Sequence, residues 1–124
     1  MLHEEELTGQ IIGAGIEVHR ELGPGLLESA YEACLCYELS VRKIPFTRQV
    51  MLPLVYKSVR IDCGYRADVI IAEKVLVEVK AVETVTDLHK AQLLTYLRIT
   101  GMKVGLLLNF NSVVLKDGIV RLVL

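Results

Sequence analysis

Two short runs in the middle of the chain alternate apolar and polar residues as β-strands do. They span residues 65–72 and 75–81, and both are rich in valine and isoleucine. Successive side chains of a strand point to opposite faces, so one face of each run is uniformly apolar and is expected to lie in the core. The polar residues 72–74 between the runs predict a hairpin loop.

A loop of about three residues sets the register of this hairpin. It pairs Ile71 with Val75 and hence Asp68 with Glu78, and only this choice keeps the apolar face continuous. Two carboxylates then lie opposite each other, which is destabilising. A divalent cation between them would remove that cost, because hard cations take carboxylate oxygens. Lys80 shares the face of Glu78 and could hold an anionic oxygen or a water near the metal.

The same charged residues have a simpler interpretation. Asp68, Glu78 and Lys80 could form a solvated polar face with Arg66, as surface ion pairs that each contribute about 0–1 kcal/mol to stability. The hairpin alone leaves both interpretations open.

Periodicity also predicts the surrounding elements. Residues 4–22 and 26–43 are expected to be helices, separated by the breaker at 23–25. Residues 46–56 predict a strand that is at an edge or bulged at Pro53, and residues 59–61 a short one. A third helix begins at Thr86 or Asp87, either a good N-cap, and ends near 100–101. Residues 103–110 predict a buried strand, and 113–115 with 119–124 a closing hairpin. This order predicts an α/β or α+β fold, a mixed central sheet flanked by helices.

Two side chains of the second helix bear on the chemistry. Glu28 lies in the first turn, where the helix dipole favours a carboxylate. Tyr31 shares roughly the same face, so a Glu28–Tyr31 polar pair that points toward the sheet is expected. Glu32 is expected to face outward.

The third helix carries two neighbouring stripes of residues. The residues expected to face the sheet are Leu88, Ala91, Leu94, Thr95 and Ile99. The residues of the flanking stripe are His89, Gln92 and Tyr96.

Composition predicts one globular domain over residues 1–124. The chain is 52% hydrophobic and 23% charged, which is typical of folded proteins, and no apolar run approaches the roughly 20 residues of a membrane span. An acidic amino terminus unlike a secretory signal and three cysteines lead us to expect a cytoplasmic protein. The net charge of −1 gives no general affinity for polyanions, so a nucleic-acid enzyme would have to concentrate its 14 lysines and arginines on one side.

Four short motifs follow one another along these elements. Residues 64–68 (GYRAD) place a glycine four residues before Asp68, residues 78–80 read E-x-K, and residues 92–96 (QLLTY) read QxxxY. Residues 25–31 (GLLESAY) read GxxExxY. The first three resemble the RecB-type branch of the PD-(D/E)XK nuclease superfamily, and the last resembles the signature of the GxxExxY family of small bacterial and archaeal proteins within it. The resemblance covers nearly the whole chain, although Ala67 stands where the name motif has proline.

The resemblance implies a restriction-endonuclease-like α-β-β-β-α-β core and a metal-dependent nuclease. Asp68, Glu78 and Glu28 would bind Mg²⁺ or Mn²⁺. Lys80 would activate water or stabilise the charge that develops on the phosphate, and Gln92 would orient the site. The metal would polarise the scissile phosphate and lower the pKa of its bound water.

The resemblance also assigns supporting roles and partners. Tyr31 would support Glu28, and Tyr96 would support the site as part of QxxxY. The expected partner is nucleic acid, DNA rather than RNA, and both a protein that supplies specificity and a homodimer stay open. The alternative function is a non-catalytic binding or assembly module that retains the nuclease fold, which the near-neutral net charge favours slightly.

Overall fold

The computed structural model describes residues 4–124, which form three α-helices and seven strands. The helices are α1 (Glu5–Leu22), α2 (Glu28–Val41) and α3 (Asp87–Thr100). The strands are β1 (Phe46–Met51), β2 (Leu54–Tyr56), β3 (Val59–Ile61), β4 (Arg66–Ile71), β5 (Val75–Lys80), β6 (Val104–Asn109) and β7 (Ile119–Val123). A short 3-10 helix spans Leu115–Gly118. Within residues 4–124, no helix combines the length and apolar composition needed to cross a membrane.

A five-stranded mixed sheet in the order β1-β4-β5-β6-β7 forms the centre of the fold. Only β5 and β6 are parallel, with α3 as their crossover, and the other neighbours are antiparallel. A core of α1 and α2 residues lies against one face of the sheet, and α3 packs on the other face. The mixed α/β architecture with flanking helices, predicted from the order of elements, is confirmed.

The central hairpin has the register that its apolar pattern predicts. Ile71 pairs with Val75, and Val69 pairs with Val77. All four side chains, together with Val79, lie in the core under α1 and α2. The alternation of apolar residues therefore fixed both the pairing and the buried face of these strands.

The edge position predicted for the strand over residues 46–56 is confirmed for β1, but the strand is broken in two at Pro53, so a single strand here was wrong. β1 forms the edge of the central sheet, whereas β2 pairs only with β3 as a separate two-stranded hairpin. Proline has no backbone N–H to donate to a ladder, which explains the break.

The predicted closing hairpin was also wrong. Val113 and Val114 are exposed and belong to no strand, and Leu115 begins the 3-10 helix. β7 instead pairs with β6, from Leu108–Ile119 to Val104–Val123. β7 pairs with β6 along five residues, whereas a strand at residues 113–115 would have offered it only three.

The rotation of α3 differs from the predicted one. Leu88 is 77% exposed, while the buried residues are Leu93, Tyr96 and Leu97. Gly105 of β6 lies directly beneath Leu93, since a Cβ at Gly105 would come within 2.9 Å of the leucine Cδ1. The space left by the glycine receives Leu93 and so sets which face of the helix meets the sheet.

Candidate active site

Asp68 and Glu78 meet where β4 and β5 separate. Regular pairing stops at Val69–Val77. Beyond that point the backbone N–H of Asp68 donates to Glu78 Oε2 at 2.8 Å, and the N–H of Val79 donates to Asp68 Oδ2 at 2.8 Å. Each carboxylate thus bonds a backbone N–H of the opposite strand, and the two acids hold the strands open.

The second oxygen of each carboxylate is available to a ligand. Within residues 4–124, Oδ1 of Asp68 and Oε1 of Glu78 accept no hydrogen bond. No buried side-chain nitrogen or oxygen in this range lacks a partner, so these two oxygens are reached by solvent. Glu78 as a whole is only 5% exposed, which makes the opening narrow.

Burial disfavours the state in which both carboxylates of this pair are ionised. The pKa of Glu78 is raised to about 7, chiefly by loss of hydration and next by the charge of the adjacent Asp68, while the hydrogen bond from the Asp68 N–H and the attraction of Lys80 oppose the shift. The pKa of Asp68 is raised too, chiefly by burial, and its hydrogen bond from Val79 opposes the shift. A bound cation would favour the doubly ionised form.

Lys80 lies at the end of β5, two residues beyond Glu78. Its positive charge lowers the pKa of both Asp68 and Glu78, although less than burial raises them. Within residues 4–124 it forms no ion pair within 4.0 Å. The ammonium therefore acts on the pair from a distance and stays available to an incoming anion.

The path of the chain beyond Lys80 is fixed by a buried amide. Asn109 lies opposite Lys80 on β6 and is 4% exposed. Its side chain accepts from the Val82 N–H at 3.0 Å and donates to the Val82 carbonyl at 2.9 Å. These two bonds hold the segment that leads from the E-x-K strand to α3.

Glu28 reaches the same end of β5 from α2. Its side chain is exposed, and Oε2 accepts a hydrogen bond from the Ala81 N–H at 3.3 Å. Its charge contributes to the raised pKa of Asp68, which places the carboxylate close to the pair. Glu28 thus lies beside the candidate site, at its rim.

The expected Glu28–Tyr31 polar pair is not formed, since the Tyr31 hydroxyl hydrogen-bonds elsewhere. Its hydroxyl donates to the Gly23 carbonyl at 2.6 Å and accepts from the Leu26 N–H at 3.1 Å. The ring stacks on Phe110 with 4.6 Å between ring centroids. Tyr31 therefore fastens the turn between α1 and α2, and supports Glu28 only by holding the start of its helix.

Gln92 and Tyr96 lie on the opposite side of the pair, on α3. Exposed Gln92 donates through Nε2 to the hydroxyl of Tyr96 at 3.2 Å. The pKa of Tyr96 is raised by burial and by the negative charge of Glu78, while a backbone hydrogen bond from Arg66 lowers it. The glutamine is thus linked to the carboxylate pair through the tyrosine.

Sequence reasoning missed Glu32, which was expected to face outward and is only 6% exposed. Arg48 donates to its Oε2 through Nε at 3.0 Å and Nη2 at 2.9 Å, and Gln49 donates to Oε1 at 2.7 Å. Its charge raises the pKa of both Asp68 and Glu78. The available signal was its spacing of four residues from Glu28, which puts both acids on one helix face.

The residues present fit a divalent cation with two protein ligands. Within residues 4–124, no group of three or more histidine, cysteine, aspartate or glutamate side chains is arranged to hold a metal ion. Asp68 and Glu78 offer one free oxygen each, which suits Mg²⁺, an ion that keeps several waters and uses one or two carboxylates. Glu28 does not complete a three-carboxylate cluster here, so its role as a metal ligand stays a prediction.

Comparison with known proteins identifies the family. A model of the PD-(D/E)XK nuclease superfamily matches residues 5–122. The chain belongs to this superfamily. Membership suggests a nuclease-like function and nucleic-acid binding, and nucleases of the superfamily generally use divalent metals. No curated protein and no solved structure matches the chain significantly.

Proposed function

We propose that this chain hydrolyses phosphodiester bonds of nucleic acid with Mg²⁺ or Mn²⁺ bound by Asp68 and Glu78. The observation that carries the proposal is the pair formed by buried Glu78 and half-buried Asp68, in which each acid keeps one free oxygen and the pKa of Glu78 is raised to about 7. A strand pair that separates around two repelling acids is unfavourable without a cation. Superfamily membership supports the same chemistry.

The backbone of the hairpin orients the two acids for this role. The N–H groups of Asp68 and Val79 each fix one carboxylate oxygen and leave the other for the ion. When bound, a divalent cation supplies charge that offsets the pair and stabilises the negative charge developing on the phosphate.

Lys80 supplies a positive charge beside the pair. Its unpaired ammonium can position the attacking water by a hydrogen bond and stabilise the negative charge that develops on a non-bridging phosphate oxygen. Glu28, on α2 beside the end of β5, would accept a hydrogen bond from the same water. Gln92 would keep the Tyr96 hydroxyl directed toward the site. DNA as the preferred substrate, and the narrower membership of the GxxExxY family, rest on the sequence resemblance.

A second candidate is a non-catalytic binding or assembly module. Two observations favour it: no three-ligand metal group occurs in residues 4–124, and the whole chain carries a net charge of −1. Such a protein would bind nucleic acid or a protein partner without cutting.

A cleavage panel decides between the two. Labelled single-stranded DNA, duplex DNA and RNA are incubated with Mg²⁺, Mn²⁺ or EDTA and the purified chain. We expect metal-dependent cleavage that Asp68→Asn and Lys80→Met each reduce by about 100-fold or more. Glu73→Gln is the matched control, because this exposed acid lies in the turn of the same hairpin. Binding without cleavage by the wild type would favour the module.

A further inference from the structure

The β2–β3 hairpin carries an apolar face that the described chain leaves open. Its register pairs Leu54 with Ile61 and Tyr56 with Val59, so these four side chains share one face. Val59 is 59% exposed, Tyr56 58% and Ile61 37%. The hairpin pairs with no strand of the central sheet, and none of these four side chains belongs to either hydrophobic cluster of the described residues.

The same segment is positively charged in a chain of net charge −1. Residues 52–67 contain Lys57, Arg60 and Arg66 but a single acid, Asp62, whose Oδ1 accepts the Gly64 N–H. Arg98 of α3 lines a shallow cleft with residues 53–55 of the hairpin. Among residues 4–124 none of these four cations forms an ion pair.

The arginines elsewhere behave differently. Three of them pair with a carboxylate at 3.2 Å or less: Arg20 with Glu17, Arg42 with Glu38 and Arg48 with Glu32. The positive charge of the hairpin side is therefore not neutralised internally, and it complements a polyanion.

Two tyrosines lie close to these cations in the chain, Tyr56 beside Lys57 and Tyr65 beside Arg66. Lys57 lies over the ring of Tyr56, with its Nζ 5.5 Å from the ring centroid. Tyr65 is 38% exposed and its ring lies 6.0 Å from that of Tyr96, which borders the carboxylate pair. Tyr65 and Arg66 follow the hairpin directly in the chain and lead to Asp68 on β4.

We propose that this surface, from Tyr56 to Arg66, binds a single-stranded segment of nucleic acid. Cations that track phosphates and exposed rings that stack on bases are the combination by which proteins hold single strands. In a duplex the base faces are already stacked and cannot reach Tyr56, so the apolar face would gain nothing. The inference rests on the proposed function for the Asp68–Glu78 site and adds its substrate form: a strand with unpaired bases beside the cut.

Binding is measured without cleavage, in EDTA, by fluorescence anisotropy of a labelled oligothymidine and of a duplex of equal length. We expect the wild type to bind the single strand more tightly. Tyr56→Ala should weaken that binding by about fivefold or more, the loss of one stacked base. Tyr37→Ala is the control, because Tyr37 is 72% exposed on α2. Lys57→Glu, at the cation that lies over the Tyr56 ring, should weaken binding and reduce its salt dependence, with Lys116→Glu as control.

Each outcome bears on one proposal. Equal affinity for single strand and duplex, or equal affinity of the Tyr56→Ala and Tyr37→Ala variants, overturns the inference even if the protein cuts. Hairpin-dependent binding without metal-dependent cleavage sustains the inference and removes the proposed nuclease activity. A wild-type dimer in light scattering that Tyr56→Ala converts to monomers, with oligonucleotide affinity unchanged, assigns this face to a second copy of the chain and also overturns the inference.

Discussion

Asp68 and Glu78 are joined by a hydrogen bond that contains no side-chain donor: the backbone N–H of Asp68 donates to Glu78 Oε2 at 2.8 Å. One acid thereby orients the other without reducing its charge. The Val79 N–H donates to Asp68 Oδ2 and orients this second carboxylate in the same way. The protein holds the two carboxylates together with neutral groups, which leaves their mutual repulsion in place for a cation to relieve.

The first prediction concerns pH. The pKa of Glu78 is raised from 4.5 to about 7. Its contribution to stability is therefore fully present below the unfolded pKa and is lost as pH rises through the folded pKa. Urea unfolding in EDTA should show the wild type less stable at pH 8 than at pH 5. Glu78→Gln should flatten this dependence and raise stability at pH 8, by on the order of 1–3 kcal/mol.

Glu73→Gln is the control for this measurement, because Glu73 is an exposed acid of the same hairpin. It should keep the wild-type pH dependence. A wild-type protein as stable at pH 8 as at pH 5 would contradict the raised pKa of Glu78.

The second prediction concerns the metal. Mn²⁺ binding to the folded state should raise the melting temperature at neutral pH by mass action. Asp68→Asn should be more stable than the wild type in EDTA, because it removes the repulsion, and its melt should not respond to Mn²⁺. An unmoved wild-type melt at millimolar Mn²⁺, with no gain in the variant, would make the pair an ordinary polar contact.

The third prediction concerns Glu32. Glu32→Ala should destabilise the protein by about 1–3 kcal/mol, because it removes the buried acceptor of three hydrogen bonds while Arg48 and Gln49 can turn to solvent. Glu38→Ala removes the solvent-accessible pair with Arg42 and should cost about 0–1 kcal/mol. Equal losses in chemical denaturation would show that the Glu32 cluster is no stronger than a surface pair.

The fourth prediction also concerns Glu32, whose negative charge raises the pKa of Glu78. Glu32→Gln retains acceptor capacity and removes the charge, so it should lower the pKa of Glu78. Carboxyl carbon NMR titration of Glu78 measures this shift directly. An unchanged titration would mean that Glu32 stabilises the fold without acting on the candidate site.

The fifth prediction separates Tyr31 from the chemistry. Tyr31→Phe removes two hydrogen bonds, to Gly23 and Leu26, and should cost about 1–3 kcal/mol of stability. The Mn²⁺ response of the remaining folded protein should be unchanged. Tyr37→Phe, at a 72% exposed position, should leave stability unaltered. A Tyr31→Phe variant that loses the metal response at full stability would restore a direct role beside Glu28.

Local pattern was sufficient for the central hairpin and for the start of α3. Alternation of apolar residues gave the pairing of Ile71 with Val75 and the buried face. Thr86, one of two expected N-caps, accepts from the His89 N–H and begins the helix. These features depend on residues a few positions apart, and such spacing is explicit in a sequence.

Tertiary structure alone decided the burial and hydrogen-bond partners of Glu32 and the rotation of α3 about its axis. Glu32 is buried because Arg48 and Gln49, 16 and 17 residues away, reach its two oxygens. The helix turns Leu93 toward the sheet because Gly105 leaves room there. Periodicity states which residues share a face, but what meets that face is set by segments distant in the chain, whose approach no local spacing encodes.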